Sequence, residues 1–287
     1  AAASNITPSQ LDRRLDIAKA PTEIAELARA FNHMLDRLQE GYERLSQFSA
    51  DLAHDLRTPI TNLMVASQVM LSRARSVEEY QALLASNIEE YERLARMAEH
   101  MLFLARADNE QIALRPEDLD MELELQRIVE YFEGVAEEAG VFLAMNASGK
   151  LNADPVLLNR ALSNLIANAI RYTPRGATIR VTAQPHQGGE YGIEVANPGP
   201  VIAPEHLSRL FDRFYRVDSA RTGSGAASGM GLAIVKAVMM LHEGSVNAEN
   251  SKHGETLFTL TFPASRKERR RVPRDADGNH PAYSGVG

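Results

Sequence analysis

The chain contains no cysteine. Disulfides, thiolate metal sites and cysteine nucleophiles are therefore excluded outright. Nor is there a surplus of positive charge, since 31 Lys and Arg stand against 38 Asp and Glu for a net of −7. A nucleic-acid binder needs a basic face for phosphate contacts, so no nucleic-acid partner is expected. No apolar run approaches the roughly 20 residues that cross a bilayer. The opening stretch, residues 1–16, has no apolar core after its charges and does not read as a secretory signal. On these grounds the chain as it stands is expected to be soluble. What is present is ordinary globular material: 24% charged and 44% hydrophobic residues over 287 positions, enough for about two domains.

The first third has the pattern of a long helix. From Ile24 the apolar positions run Leu27, Phe31, Met34, Leu38, then Gly41, Leu45, Phe48 and Leu52. The alternating steps of 3 and 4 form a heptad seam, interrupted only by the weak Gly41. So narrow a stripe needs a partner helix. After Leu52 the next seam residue is Leu56, a second consecutive step of 4, which relaxes the left-handed supercoil. The pattern continues through Ile60 and Leu63 towards Met70. Ser76-Val77-Glu78-Glu79 fits a capping box opening a second helix. That helix places Leu84, Ile88, Tyr91, Leu94, Met97, Met101 and Leu104 at 3 and 4 spacing. Two such helices joined by a short turn make a hairpin, and two hairpins make a four-helix bundle. Spacing alone favours the plainer reading, a purely structural coiled-coil dimer.

Beyond 108–116 the helical pattern breaks and helices alternate with short β-rich runs. Helix is expected over 121–139 and strand over 141–145. Asp154-Pro155 marks a helix start, with Asp as the cap and Pro in the first turn. Strands over 178–184 and 191–197 form a hairpin around Gly188-Gly189. Helices follow over 203–211 and 231–241, and strands over 245–250 and 255–262 make a last hairpin. Helices and antiparallel strands mixed in this way predict an α+β sandwich, not a doubly wound parallel sheet. In the tail, 265–287, six cations and three anions leave a charge of +3. That composition is expected to be disordered.

One segment carries a chemical signature. In Phe48-Ser-Ala-Asp-Leu-Ala-His54-Asp55-Leu-Arg-Thr58-Pro59, about 100° per residue sets His54 roughly opposite the seam midway between Leu52 and Leu56. His54 should face solvent, with Thr58 one turn on and on the same side. Asp55 is adjacent, and Pro59 removes a backbone donor and should kink the helix. The other seven histidines, His33, His100 and His242 among them, read as ordinary surface or packing residues.

FSADLAHDLRTPITNL resembles the phosphoacceptor box of sensor histidine kinases. The second half is similar to that family's nucleotide boxes. Asn164-Leu-Ile-Ala-Asn168-Ala-Ile-Arg171-Tyr172 resembles the asparagine box, and Phe211-Asp-Arg-Phe214-Tyr215-Arg216 the phenylalanine box. Gly229-Met-Gly231-Leu232 resembles a glycine box, and Gly254-Glu-Thr256-Leu-Phe258 a final one. The resemblance covers residues 20–264. Finer features, including ANPGPVIAPEHLSRLFDRFYRVDSAR and RMAEHMLFLARAD, resemble the heavy-metal (copper, silver, zinc or cadmium) sensor subgroup. AELARAFNHMLDRL, upstream, resembles the second helix of a HAMP signal-transfer domain. A full member of that subgroup would carry two membrane spans and a periplasmic sensor before residue 1. The chain is thus expected to be the cytoplasmic portion of an inner-membrane protein, touching the membrane only through that missing region.

The resemblance implies a long helical hairpin forming a dimeric four-helix bundle. An α/β sandwich ATP-binding domain of the histidine kinase, chaperone and topoisomerase type follows it. It also implies four regions: a HAMP remnant (1–42), a dimerisation and phosphotransfer domain (43–110), the ATP-binding domain (115–264) and the tail. His54 would be the nucleophile, with Asp55 orienting and deprotonating its ring and Thr58 orienting water. ATP would be held by Asn164, Asn168, Arg171, Tyr172, Asn197, Gly199, Arg216, Gly229, Gly231, Leu232 and Thr256, with Asn168 on Mg²⁺. The partners implied are a second copy of the chain and the receiver domain of a response regulator. Pro198 to Ser228 is long, has little apolar content after Val217 and suits a lid over ATP.

Three positions depart from the family pattern. Asn197 stands where most members have an Asp that accepts from the adenine amine, and Val201 where they have a glycine. An Asn carbonyl can accept the same bond, with its NH₂ turned towards a ring nitrogen, but without charge assistance. Asp55 stands where Glu is commoner. Besides an active kinase that also dephosphorylates its regulator, two alternatives follow. One is a weak-kinase phosphatase or scaffold; the other is a non-kinase ATPase of the same nucleotide-binding superfamily.

Overall fold

The structure is a computed structural model that describes residues 14–15, 22–109, 111–186, 188–217, 229–252 and 254–264. Of residues 22–24, 40, 42–49 and 51 only the backbone is described. The expected disordered tail lies outside the described residues. The chain divides into two compact units between Arg96 and Met97.

The first unit is built on one helix, α1 (Thr22–Leu71), which runs unbroken past residues 42–43 and through Pro59. Its early turns bury Ala28 and Leu35, a stripe beside the predicted seam. The cause is Asn32, whose side chain accepts from the Leu15 amide at 2.9 Å and donates to the Leu15 carbonyl at 3.1 Å. Arg14 adds bonds to Asp36 and Gln39. Residues 14–15 thus lie against α1 at Asn32, Asp36 and Gln39. Three residues of the seam stay open: Leu27 is 72% exposed, and Met34 and Leu38 are about half exposed. After residues 72–76, α2 (Val77–Asp108) begins at the expected capping box. The Ser76 hydroxyl accepts from the Glu79 amide at 3.2 Å, and the Glu79 carboxylate accepts from the Ser76 amide at 2.9 Å. The bond from the Ser76 amide, with Arg75 beside it, holds the Glu79 carboxyl below its ordinary value.

The second unit is a layer of helices on a five-stranded sheet. In chain order it contains β1 (Glu117–Asp120), α3 (Met121–Ala139), β2 (Phe142–Ala147), β3 (Lys150–Ala153) and α4 (Pro155–Tyr172). It continues with β4 (Thr178–Pro185), β5 (Tyr191–Pro198), α5 (Pro204–Leu207), α6 (Gly231–Leu241), β6 (Ser245–Asn250) and β7 (Glu255–Phe262). The main sheet has the order β2-β4-β5-β7-β6. It differs from an all-antiparallel expectation in one pair, β2 with β4, which is parallel. The pair β1 and β3 forms a small separate sheet in which Leu119 faces Leu151. Only Pro204–Leu207 of the helix expected over 203–211 forms, and irregular turns follow. Helices α3, α4 and α6 bury Leu125, Ile128, Leu158, Leu162, Leu165, Ile166, Ile234 and Val238 against Ile179, Val181, Ile193, Val195, Phe258 and Leu260 of the sheet.

The sequence explains the helix ends. Asp120 caps α3 by accepting from Glu122 and Leu123 amides, and Gly140 ends it at φ 71°, a left-handed conformation that costs glycine nothing. Asp154 caps α4 by accepting from the Val156 and Leu157 amides, with Pro155 in the first turn. The other oxygen of its carboxylate accepts from the Arg115 amide at 2.9 Å. The Asp154 amide in turn donates to Nε2 of His242 at 3.0 Å, and the opposite ring nitrogen lies 2.8 Å from the Val238 carbonyl. His242 is thus a packing residue that ties α6 to the start of α4.

Candidate active site

Asn164 and Asn168 lie one turn apart on α4, both half-buried. The Asn164 amide donates to the Arg160 carbonyl at 2.7 Å. Its oxygen faces the first residue of α6, where a Cβ on Gly231 would lie 2.9 Å from it. Asn164 therefore braces the close approach of α4 and α6. Met230, the residue before α6, has no side chain that caps the first turn, and among the described residues the amides there remain donors at a positive helix end. Leu232 is half-buried there, behind the fully buried Met230.

At the other end of α4 the chain comes close to the end of β5. A Cβ on Gly199 would sit 3.1 Å from the Tyr172 carbonyl and 3.5 Å from the Asn197 amide nitrogen. Asn197 is 3% exposed and pairs across the ladder with Thr256, which is also buried. The Asn197 amide nitrogen is directed at the Pro198 carbonyl, 3.4 Å away. Its oxygen is buried with no hydrogen-bond partner. A second buried oxygen without a partner, Thr173 Oγ1, follows Tyr172 directly. Tyr172 itself is half exposed, Arg171 half-buried and Arg216 exposed.

The phenylalanine-box segment is clasped at its base. Phe214 holds φ 61°, a conformation that strains a bulky side chain. Its amide donates to the Gly229 carbonyl at 3.0 Å, and a Cβ on Gly229 would meet the Phe214 backbone at 2.7 Å. Only glycine fits that approach at the Gly229 φ of 65°. The expected lid lies largely outside the described residues, at 218–228. Next to the clasp Arg213 makes a bidentate pair with Asp108 at 2.6 Å. The Arg160 guanidinium stacks 4.0 Å above the Phe103 ring. Burial lowers its pKa from the ordinary value and the Glu99 charge opposes that shift. Neither contact is signalled by local spacing, because each partner lies far along the chain.

In the other unit His54 is exposed on α1, as its helical phase predicts, and Asp55 is half-buried. Thr58 is exposed and its hydroxyl donates to the His54 carbonyl at 3.4 Å. Within the second unit, then, four contacts draw the expected nucleotide residues together: Asn164 on Gly231, Gly199 on Tyr172, Asn197 beside Thr256, and Phe214 on Gly229.

Known proteins share this organisation. A HAMP domain model matches residues 1–40, a His kinase A (phospho-acceptor) domain model matches 44–110, and the model of the histidine kinase-, DNA gyrase B- and HSP90-like ATPases matches 153–266. The sensor histidine kinase CusS of Escherichia coli K12 is 47% identical over 261 residues, covering 91% of this chain and 54% of CusS. The sensor protein CzcS of Cupriavidus metallidurans is 43% identical over 265 residues, covering 92% of this chain and 56% of CzcS. The chain thus spans about half the length of these relatives. Among solved structures, the Acinetobacter baumannii histidine kinase AdeS superposes with a TM-score of 0.62 at 24% identity, covering 74% of this chain and 98% of AdeS. Histidine kinase ThkA, solved with its response regulator TrrA, gives 0.65 at 20% identity, covering 80% of this chain and 65% of ThkA. These last two likenesses concern the fold.

Proposed function

The chain belongs to the sensor histidine kinases of two-component systems, and from that premise we propose that it moves the γ-phosphoryl group of ATP onto His54. From there the group passes to an aspartate of a response-regulator receiver domain. The observation that carries the nucleotide half of this reading is the unpartnered Asn197 oxygen. A buried acceptor left without a donor costs about 1–3 kcal/mol, and the 6-amino group of adenine is the donor that would relieve it. The glycine approaches at 199, 229 and 231 leave backbone, not side chains, beside the nucleotide. The uncapped α6 start offers amides to its phosphates. Arg171, Tyr172, Leu232 and Arg216 would border it.

Phosphoryl transfer demands positioning and charge neutralisation more than covalent work by the protein. His54 contributes a ring nitrogen that forms the new N–P bond while the bond to the ADP oxygen breaks. The neighbouring Asp55 carboxylate would take the ring proton. Asn168 would hold Mg²⁺, whose charge would offset that of the group in transit. The neutral oxygen of Asn168 suits that ion. No group of three or more His, Asp or Glu able to hold a metal exists among the described residues. Transfer onward breaks the N–P bond and forms an acyl phosphate. Thr58, exposed one turn from His54, would orient water for the reverse task, dephosphorylating the regulator.

The open seam of Leu27, Met34 and Leu38 would be covered by a second copy. We assign residues 1–42 to the signal-transfer domain, 43–110 to the phosphotransfer domain and 115–264 to the ATP-binding domain of a metal-responsive system. Incubation with γ-labelled ATP and Mg²⁺ tests the reading. The label should be acid-labile and alkali-stable, as an N–P bond is, and His54→Gln should abolish it while leaving nucleotide binding intact. Full labelling of that variant would move the acceptor elsewhere.

A further inference from the structure

We propose that Asn197 lets this site accept 6-oxopurine triphosphates, those of guanine and hypoxanthine, as well as ATP. The inference rests on the nucleotide reading above and concerns which base the same site admits. Asn197 is 3% exposed, so its side chain meets the base without water to blur the contact. As it stands, the amide nitrogen faces the Pro198 carbonyl and the oxygen is free. That orientation presents an acceptor, which matches the 6-amino group of adenine. A carboxamide, unlike a carboxylate, carries a donor at its other end. Turned over by 180° about its last bond, Asn197 presents NH₂ to the 6-oxo group of guanine or hypoxanthine.

Two things oppose the turn: the bond to the Pro198 carbonyl is lost, and the Asn197 oxygen then faces that carbonyl, acceptor to acceptor. The Pro198 contact is long, at 3.4 Å, and a neutral hydrogen bond is worth roughly two- to tenfold in affinity. No side chain blocks the motion from the Gly199 side, where even an added Cβ would stand 3.5 Å from the amide nitrogen. Thr256, opposite on β7 and buried with it, has a hydroxyl that donates or accepts as required. A carboxylate at residue 197 would behave otherwise, because it has only acceptors to set against the 6-oxo oxygen. Sites built to satisfy one polar pattern reject its inverse by about 10⁴-fold. The neutral amide therefore weakens base selection from a near-absolute choice to about ten- to a hundredfold in favour of adenine.

The test is displacement of a fluorescent ATP analogue from the full chain, with Mg²⁺, by ATP, GTP and inosine triphosphate. The expected result is that at least one 6-oxopurine binds within a hundredfold of ATP. In Asn197→Asp, ATP should still displace the analogue while both 6-oxopurines lose at least another hundredfold relative to it. If both bind the wild-type chain more than a hundredfold more weakly than ATP, the proposal is overturned. It is equally overturned if the variant folds, binds ATP and keeps the wild-type base preference. Should Asn197→Asp fail to fold, the wild-type inosine triphosphate measurement decides, since that base tests the 6-oxo group without guanine's extra amine. Failure of ATP itself to displace the analogue would instead refute the nucleotide reading.

Discussion

Asp154→Ala should loosen the helix that carries Asn164 and Asn168 without unfolding the chain. One carboxylate oxygen accepts from the Val156 and Leu157 amides at 3.0 and 3.1 Å, and the other from the Arg115 amide at 2.9 Å. Loss of an N-cap costs about 1 kcal/mol. Stranding the Arg115 amide in a part-buried position adds about 1–2 kcal/mol, so about 2–3 kcal/mol is at stake. A domain stability of about 5–15 kcal/mol leaves such a variant folded. Asp154→Asn separates the two contributions. Its oxygen can still cap α4, but its NH₂ then faces the Arg115 N–H, donor to donor, so only about 1–2 kcal/mol is lost. The bond from the Asp154 amide to His242 is made by the backbone and survives both changes. Urea unfolding followed by circular dichroism and by a bound fluorescent nucleotide reads the difference. With a slope of about 1–3 kcal/mol per molar urea, the Ala midpoint should fall by about 1–2 M and the Asn midpoint by about half as much. Equal shifts would mean that the cap contributes nothing, and unchanged midpoints would refute the whole arrangement.

Other consequences can be checked singly. Burial, helped by the Asp120 charge, pushes the Tyr191 hydroxyl from its ordinary 10.0 to about 12, and that hydroxyl donates to the Ser148 carbonyl at 2.6 Å. The unfolded chain ionises first, so the stability is fully present below pH 10 and is lost as pH rises through about 12. The alkaline fall in thermal midpoint should therefore flatten in Tyr191→Phe. Gly229→Ala places a Cβ 2.7 Å from the Phe214 backbone at a φ of 65°, and it should weaken binding of a fluorescent nucleotide at least tenfold with the thermal midpoint lowered by only a few degrees. Inserting one residue between Leu38 and Leu45 rotates the downstream helix by about 100°. It should alter the ratio of phosphorylation to dephosphorylation more than it alters dimer stability; unchanged activities would make the seam a passive dimerisation device.

Features announced by neighbouring residues were legible in the sequence. The Ser76–Glu79 box, the Asp154-Pro155 start, the helix over 231–241 and the hairpin across Gly188-Gly189 all rest on chemistry within a few positions. The exposure of His54 was legible for the same reason, since helical phase is local. The sheet of β1 and β3 was not. Its strands pair Glu117 with Ala153 and Asp120 with Lys150, and each offers one leucine to the interior, too little for a period to appear. The parallel pairing of β2 with β4 is hidden too, because the connection between them passes through β3 and α4.

The stripe of Ala28 and Leu35 shows a subtler limit. Hydrophobic spacing singled out Leu27, Met34 and Leu38, yet these are the exposed residues, while the smaller stripe beside them is covered by residues 14–15 through Asn32. A period detects apolar side chains, whereas burial depends on what lies across from them, and here a polar Asn holds residues 14–15 in place. The candidate site divides along the same line. Which residues take part is written in short boxes. Their work depends on contacts between boxes: the Asn164 oxygen is directed at Gly231, and the Asn197 oxygen is left free because its amide nitrogen faces Pro198. Two asparagines of the same residue type thus do opposite things, one bracing the fold and the other leaving a donor's place open. Only the packing of α4 against α6 and β5 distinguishes them.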